Sequence, residues 1–365
     1  MLCFREKPYR GRRNINVLNN IRTYGQNNFK SSGNPDFDHL IRKLLTVNIN
    51  ERLTWDQYFI HPFLEGGDCW KYYEDKIKVG EGPYYKVYRV KLINNDEKRA
   101  VKAIDLRQIK GEIEREILRP CKPEDLKPYL DDFIKETKNM ELLRGKNNDN
   151  INAVIFYEYF QTENEFCIVQ ELCEGSLNRL LREKKKTFTA NEIYEIFTQL
   201  NKSFRILCEN NLSHKDIRLE KILIKTNERG ERIYKLTELE FNRRVEEILG
   251  DSGFMAHEKN KAPEILNSVL TPQEISEEEY QKADLWSIGI NIYLLYFGKF
   301  PYEGNNANEI MDKINKNPSA RIDEIVEDDL KDLVRKLLRK EKDKRIDWKG
   351  YFEHKFFSRE KKEKK

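Results

Sequence analysis

The chain has 365 residues, with 67 Lys and Arg against 63 Asp and Glu for a net charge of +4; apolar residues make up 38 %, aromatic 11 % and charged 36 %. That apolar share supplies the core of one large domain or two ordinary ones, so disorder throughout is excluded. The basic excess is small and interleaved with acids, which excludes a field strong enough to gather nucleic acid.

Six cysteines, Cys3, Cys69, Cys121, Cys167, Cys173 and Cys208, form no C-x-x-C pair, so reduced thiols are expected. The N-terminus carries no apolar stretch of signal-peptide length. The longest apolar run, Leu285 to Gly298 with Ser287 and Asn291 inside it, is too short to span a bilayer and reads as a buried core helix. These features predict a soluble, cytoplasmic protein that meets neither membrane nor nucleic acid.

From the N-terminus, residues 8 to 63 match residues 301 to 356 at a constant offset of 293 without a gap. Pro8-Tyr9 falls on Pro301-Tyr302, Gly11 on Gly304, Arg42-Lys43-Leu44-Leu45 on Arg335-Lys336-Leu337-Leu338, Arg52 on Arg345, Trp55 on Trp348, and His61 and Phe63 on His354 and Phe356. An offset that large is no solenoid period; it reads as two copies of one large domain, the first represented by its end. Each copy carries an apolar helix rhythm, Leu40, Ile41, Leu44 and Leu45 in the first and Leu333, Val334, Leu337 and Leu338 in the second. Residues 1 to 65 are near the size at which a core becomes marginal. Either they lean on the following domain or an upstream part exists, and the second is the favoured expectation.

Gly66-Gly67-Asp68 marks a boundary. Alternating segments rich in Tyr, Val and Ile follow, Tyr84 to Val90, Ala100 to Ile104 and Phe166 to Leu172, and then long segments with helical spacing such as Ala190 to Cys208. Strands first and helices after predict a smaller lobe over 70–172, a larger one over 173–357 and a cleft between them. The charged end, 358–365, reads as a solvated tail.

Between two strand-like stretches lies Gly80-Glu81-Gly82-Pro83-Tyr84-Tyr85-Lys86-Val87, where glycines let backbone amides approach phosphate oxygens. Alone, such a pair is usually just a hairpin turn, and a lone strand Lys such as that of Ala100-Val101-Lys102 is ordinarily on the surface. Later motifs change that reading. His214-Lys215-Asp216-Ile217-Arg218-Leu219-Glu220-Lys221, Ala262-Pro263-Glu264 and Asp284-Leu285-Trp286-Ser287-Ile288-Gly289 follow in order, and over 70–357 the chain resembles the protein kinase family through its catalytic loop, A-P-E and D-x-W-S-x-G motifs.

The resemblance implies an α+β, two-lobed fold: a small antiparallel β lobe with one helix, a hinge near Glu171 to Gly175, and a large helical lobe. It implies ATP as ligand, with Gly80 and Gly82 in the phosphate loop and Lys102 on the α and β phosphates. Glu136 would pair with that Lys, with Glu141 as the rival. Val87, Ala100 and Leu223 would sandwich adenine, and Gln170, Glu171 and Cys173 would form the hinge. Asp216 would orient a substrate hydroxyl, Arg218 replaces a catalytic-loop Lys, and Arg345 would pair with Glu264.

The departures fall where magnesium is usually held. Lys221 stands at the position of the metal-binding Asn, a cation with no lone pair to give. Glu238-Leu239-Glu240 replaces D-F-G, so Glu238 keeps one carboxylate, longer by a methylene, for a single shifted metal site. Tyr85 replaces the third loop glycine, its ring either filling the space over the phosphates or stacking outside. Lys215 replaces an Arg that receives an activation-segment phosphate and lacks its bidentate fork. His257 and Asn260 make the peptide platform irregular, and Leu239 joins an apolar column with Met140, Phe156 and His214. Removing one preorganised electrostatic partner costs about 10² to 10³ in rate. The expected function is therefore an ATP-binding pseudokinase that regulates a partner kinase domain. A slow serine/threonine kinase acting on protein substrates and a scaffold that binds no nucleotide are the alternatives.

Overall fold

The computed structural model describes residues 35–46, 52–53, 69–82, 84–93, 97–145, 149–184, 186–238, 258–271, 273–317 and 321–358. The sequence features at Cys3, Pro8-Tyr9, Gly11, Trp55, His61, Phe63, the 66–68 turn, Leu239, Glu240, His257 and the 359–365 tail lie outside the described residues. Two compact units are present, Met1–Leu130 with Phe156–Leu172, and Asp131–Ile155 with Cys173–Lys365.

The first unit holds a five-stranded antiparallel sheet of β1 (Tyr73–Glu81), β2 (Tyr85–Leu92), β3 (Lys98–Asp105), β4 (Phe156–Gln161) and β5 (Glu165–Glu171), in the order β1-β2-β3-β5-β4. Its side chains alternate with the pleat. One face buries Tyr73, Val90, Val101, Ala103, Phe160, Cys167 and Val169 in a single apolar cluster flanked by Trp70 and Tyr88. Residues of the opposite parity, Val87, Ala100 and Lys102, share the other face, because Val87 pairs with Lys102 and Ala100 with Gln170.

Two helices follow β3, where the resemblance implied one. Helix α2 (Leu106–Ile117) starts on Asp105, whose side chain accepts the Arg107 N–H, and buries Leu106, Ile109 and Ile113. It stops at Leu118, held at φ 56°. The long stretch 105–131 is thus helical for most of its length, since α3 (Pro123–Leu143) begins within it. The boundary between the units falls inside α3.

Ahead of the sheet, the predicted helix forms as α1 (Pro35–Leu44). Helix α1 packs against edge strand β4, with Leu40 and His39 buried. A stripe of apolar residues on ten residues cannot stand alone in water, and the sheet supplies what it leans on.

In the second unit, α5 (Ala190–Glu209) and α7 (Glu277–Phe297) each open with a capping box, Thr189 with Glu192 and Ser276 with Glu279. Such reciprocal caps satisfy two otherwise orphaned backbone donors. Helix α7 is the predicted core helix, buried on every side from Ala283 to Leu295 and closed by Gly298 at φ 70°. Helix α9 (Asp328–Leu337) lays Leu330, Leu333, Val334 and Leu337 inward. It comes so close to α7 that a Cβ on Gly289 would stand 2.8 Å from the Leu337 Cβ. Strands β6 (Gly175–Ser176), β7 (Ile222–Thr226) and β8 (Arg232–Leu236) form a small antiparallel sheet. Among the described residues no helix is long and apolar enough to cross a membrane.

Candidate functional site

In the first unit, the glycine loop is the β1–β2 hairpin, with Gly80 opposite Val87 and the Gly82 N–H donating to the Tyr85 carbonyl at 2.9 Å. Tyr85 lies two residues before Val87, so its ring shares the face that carries Lys102. The Lys102 ammonium sits 4.3 Å from the centre of that ring, and a Cβ added to Gly82 would collide with its edge. Of the two positions open to Tyr85, the ring therefore takes the inner one, between loop and lysine. Lys102 is 1 % exposed, and an ammonium so desolvated gains from the ring's negative face. Ala100 and Gln170 are buried side by side in neighbouring strands, and Glu171 is buried at the end of β5.

Helix α3 carries Glu136, buried on the same inward face as Met140 and Leu143. The rival Glu141 is half-buried. The inward position fits Glu136, rather than Glu141, to a role in the core of its unit.

In the second unit the catalytic-type loop hangs from a buried carboxylate. Asp284, near the middle of α7, accepts the His214 N–H at 2.6 Å and the Lys215 N–H at 2.9 Å. Burial pushes its carboxyl up to about 7, against those two donors, which favour the charged form. Asn291, two turns further along α7, donates to the Ile217 carbonyl. Lys215 takes φ 65°, a left-handed conformation that costs a non-glycine residue about 1 kcal/mol or more and persists where surroundings over-determine it. The His214 ring is fully buried, its Nε2 3.2 Å from the Thr237 carbonyl. Burial lowers its pKa to about 4.

Asp216 is half-buried, with Arg218 Nε at 2.9 Å on one oxygen and Lys221 Nζ at 3.8 Å from the other. Lys221 is itself buried and makes an ion pair with Glu238, which stands at φ 51° just after β8. Among the described residues two carboxylates, Asp216 and Glu238, thus meet two side-chain cations, Arg218 and Lys221. A divalent cation would have to displace the Lys221 ammonium, because that ammonium already lies on the one carboxylate left for it. Among the described residues no group of three metal-type ligands exists. Glu238, expected to hold a shifted metal site, has its carboxylate engaged by Lys221, and the described residues there do not fit a divalent ion.

Lys215 does not await a phosphate either: its ammonium lies 3.3 Å from Glu277 and 4.5 Å from the centre of the Tyr280 ring. The A-P-E pair is intact, Arg345 reaching Glu264 with two nitrogens at 2.6 and 3.0 Å. Leu223 is half-buried on β7 and Cys173 half-buried at the start of the second unit. What the sequence reading missed is Asp284 as the clamp on the His214 and Lys215 amides. Its signal was the D-x-W-S-x-G motif itself, read only as a helix start.

Comparisons with known proteins follow this geometry. Residues 73–357 match the family model described as protein kinase domain. Calcium-dependent protein kinase 5 of Plasmodium falciparum (isolate 3D7) is 26 % identical over 300 residues, covering 78 % of this chain and 45 % of that protein. Serine/threonine-protein kinase atg1 of Dictyostelium discoideum is 24 % identical over 286 residues, covering 77 % of this chain and 38 % of the other. The chain thus spans less than half the length of these relatives. Among solved structures, Rad53 1-466 in complex with AMP-PNP superposes with a TM-score of 0.58 at 18 % identity, over 83 % of this chain and 70 % of that one; identity that low speaks for the fold alone.

Proposed function

The chain belongs to the protein kinase family, and we propose that it binds ATP while transferring the γ-phosphoryl group poorly or not at all, acting as a regulatory pseudokinase. The observation that carries this reading is the Lys221–Glu238 ion pair beside Asp216. Phosphoryl transfer depends on positioning and on metal ions that neutralise the charge spreading over the phosphate oxygens. A lysine fixed in that position supplies one positive charge in place of a divalent ion. It can balance phosphate in the bound state, but it is spent on a carboxylate that would otherwise anchor magnesium.

The chain's own residues retain parts of the binding apparatus. In the first unit Gly80 and Gly82 give a loop for phosphate oxygens, Lys102 a desolvated cation, Val87 and Ala100 apolar side chains for a purine, and Gln170 and Glu171 the hinge residues the resemblance implies; in the second it implies Leu223 and Cys173 for the same ligand. Glu136 is the buried carboxylate assigned to Lys102. Magnesium would supply charge neutralisation where it binds, and the donor set argues against it here.

A slow serine/threonine kinase is the second reading, favoured by one observation: Asp216 keeps the base position and the Glu264–Arg345 pair that braces this half is intact. A protein hydroxyl would then be the acceptor and Arg218 would steady Asp216. On the pseudokinase reading the protein works in the cytoplasm on a partner kinase domain, and a sequence without a C-x-x-C pair favours reduced thiols. The test uses the full chain. Thermal shift with ATP, with and without Mg²⁺ or Mn²⁺, reports binding; transfer of labelled phosphate to a basic substrate, beside Asp216→Ala, reports catalysis. A metal-independent shift with no Asp216-dependent transfer is the expected result. Transfer that disappears in the variant would install the second reading, and no shift at all would leave a scaffold.

A further inference from the structure

Outside the nucleotide apparatus, the most heavily engaged buried charge in the first unit is Glu158 on β4. It is 5 % exposed. Tyr73 Oη donates to it at 2.5 Å, His39 Nε2 lies at 2.9 Å, Lys43 Nζ at 2.8 Å and Arg99 at 3.9 Å. Burial alone would raise its pKa; Lys43, His39 and Arg99 hold it well below the usual carboxylate range instead. Two of these partners come from α1, one helical turn apart. The next residue on β4, Tyr159, is gripped by the same helix: Arg42 Nη2 donates to its hydroxyl at 2.8 Å and the guanidinium lies 4.8 Å from the ring centre. His39 also packs on the Tyr72 and Phe160 rings, at 5.9 and 6.3 Å between centroids.

The internal repeat gives this contact its meaning. At the offset of 293, α1 is the twin of α9, and His39, Arg42 and Lys43 correspond to Asp332, Arg335 and Lys336. In α9 the acid stays, Asp332 taking Lys336 at 3.0 Å and His354 Nε2 at 3.1 Å, while Arg335 pairs with Asp323. In α1 the acid has become a histidine, and both residues turn to Glu158. An aspartate retained at position 39 would set two carboxylates against each other in a buried site. The twin helices therefore differ where one of them meets the sheet.

We propose that the flank of β4 is a docking surface for the closing helix of a kinase-like large lobe, with Glu158 as receptor and this chain's own segment 35–46 as its occupant. Recognition rests on a helix presenting a histidine and a lysine one turn apart to a buried carboxylate, with an arginine on the neighbouring tyrosine. It is independent of nucleotide binding.

Hydrogen exchange of the full chain tests it, comparing wild type with His39→Asp, which installs the twin's residue, with Lys43→Met, and with Lys336→Met as the matched change on α9. Docking predicts that amides of 38–46 exchange at least about tenfold faster in the first two variants, while α5 and α9 keep their protection; Lys336→Met leaves 38–46 unchanged. The proposal is overturned if 38–46 is unprotected in the wild type or keeps its protection in both variants. It is overturned equally if α5 and α9 lose protection along with 38–46 in both, since the segment would then be no separable docked element.

Discussion

The two halves of the nucleotide apparatus have departed from their family in opposite ways. In the first unit the charged residue is kept and its access is altered: Lys102 remains, with the Tyr85 ring against it. In the second unit access is kept and the charge is altered: Asp216 remains half-buried, while a lysine replaces a neutral metal ligand and pairs with Glu238. An aromatic cover can be displaced by a ligand that binds more tightly. A wrong-sign residue in a metal site cannot be displaced by the metal. On the proposed reading, binding and transfer would be impaired to different depths, with the deeper loss in the second half.

The sharpest way to break this comparison is to ask whether the second half is damaged only at its metal positions. Arg345 has a side chain with no exposed surface and holds Glu264 bidentately, so Arg345→Met should cost about 3–5 kcal/mol by stranding a carboxylate. Urea unfolding reads this directly; a loss below about 1 kcal/mol would mean the frame is already loose. Next in size, restoring ligands in the double variant Lys221→Asn with Glu238→Asp should raise Mg²⁺-dependent phosphate transfer by about 10² or more. An unchanged rate would move the lesion elsewhere in the site.

In the first half, Tyr85→Ala removes a cation–π contact of about 1–2 kcal/mol at a desolvated lysine. It should tighten ATP binding by roughly tenfold at most in titration calorimetry, whereas weaker binding would make the ring part of the nucleotide's seat. A further test is one of pH. The folded His214 pKa is depressed to about 4 from an ordinary 6.5, so between these values the unfolded chain takes up a proton that the folded one refuses. Its contribution to stability is complete above about 6.5 and is lost as pH falls toward 4. Among five His in the chain, NMR should find His214 neutral at pH 5; a midpoint near 6.5 would place the ring in water.

Much of the fold was legible locally. The period-2 runs Tyr84 to Val90, Ala100 to Ile104 and Phe166 to Leu172 anticipated the strands at 85–92, 98–105 and 165–171, and the apolar run from Leu285 a core helix, because burial of alternate or stacked side chains leaves a periodic trace. The helices over 106–117 and 123–143 were less visible: their acids and bases are mixed, and Pro128 lies within the second. Lys102, Asp216, Lys221 and Glu238 were singled out through the resemblance to the family's motifs. Glu158 left no such trace, since a glutamate in Phe-Tyr-Glu-Tyr-Phe reads as the wet side of a strand.

By itself, then, the order of residues determined the family, the strand and helix content, the candidate base and the substitution of lysine for a metal ligand, all of which depend on neighbours a few positions apart. Tertiary structure decided which charges meet. Lys221 could have pointed at solvent or at phosphate, and only the turn after β8 brings Glu238 onto it; His39 and Glu158 are separated by 119 positions and become partners because α1 lies along β4. Electrostatic energy depends on separation in space and on exclusion of water, and neither is written in the spacing of residues along a chain.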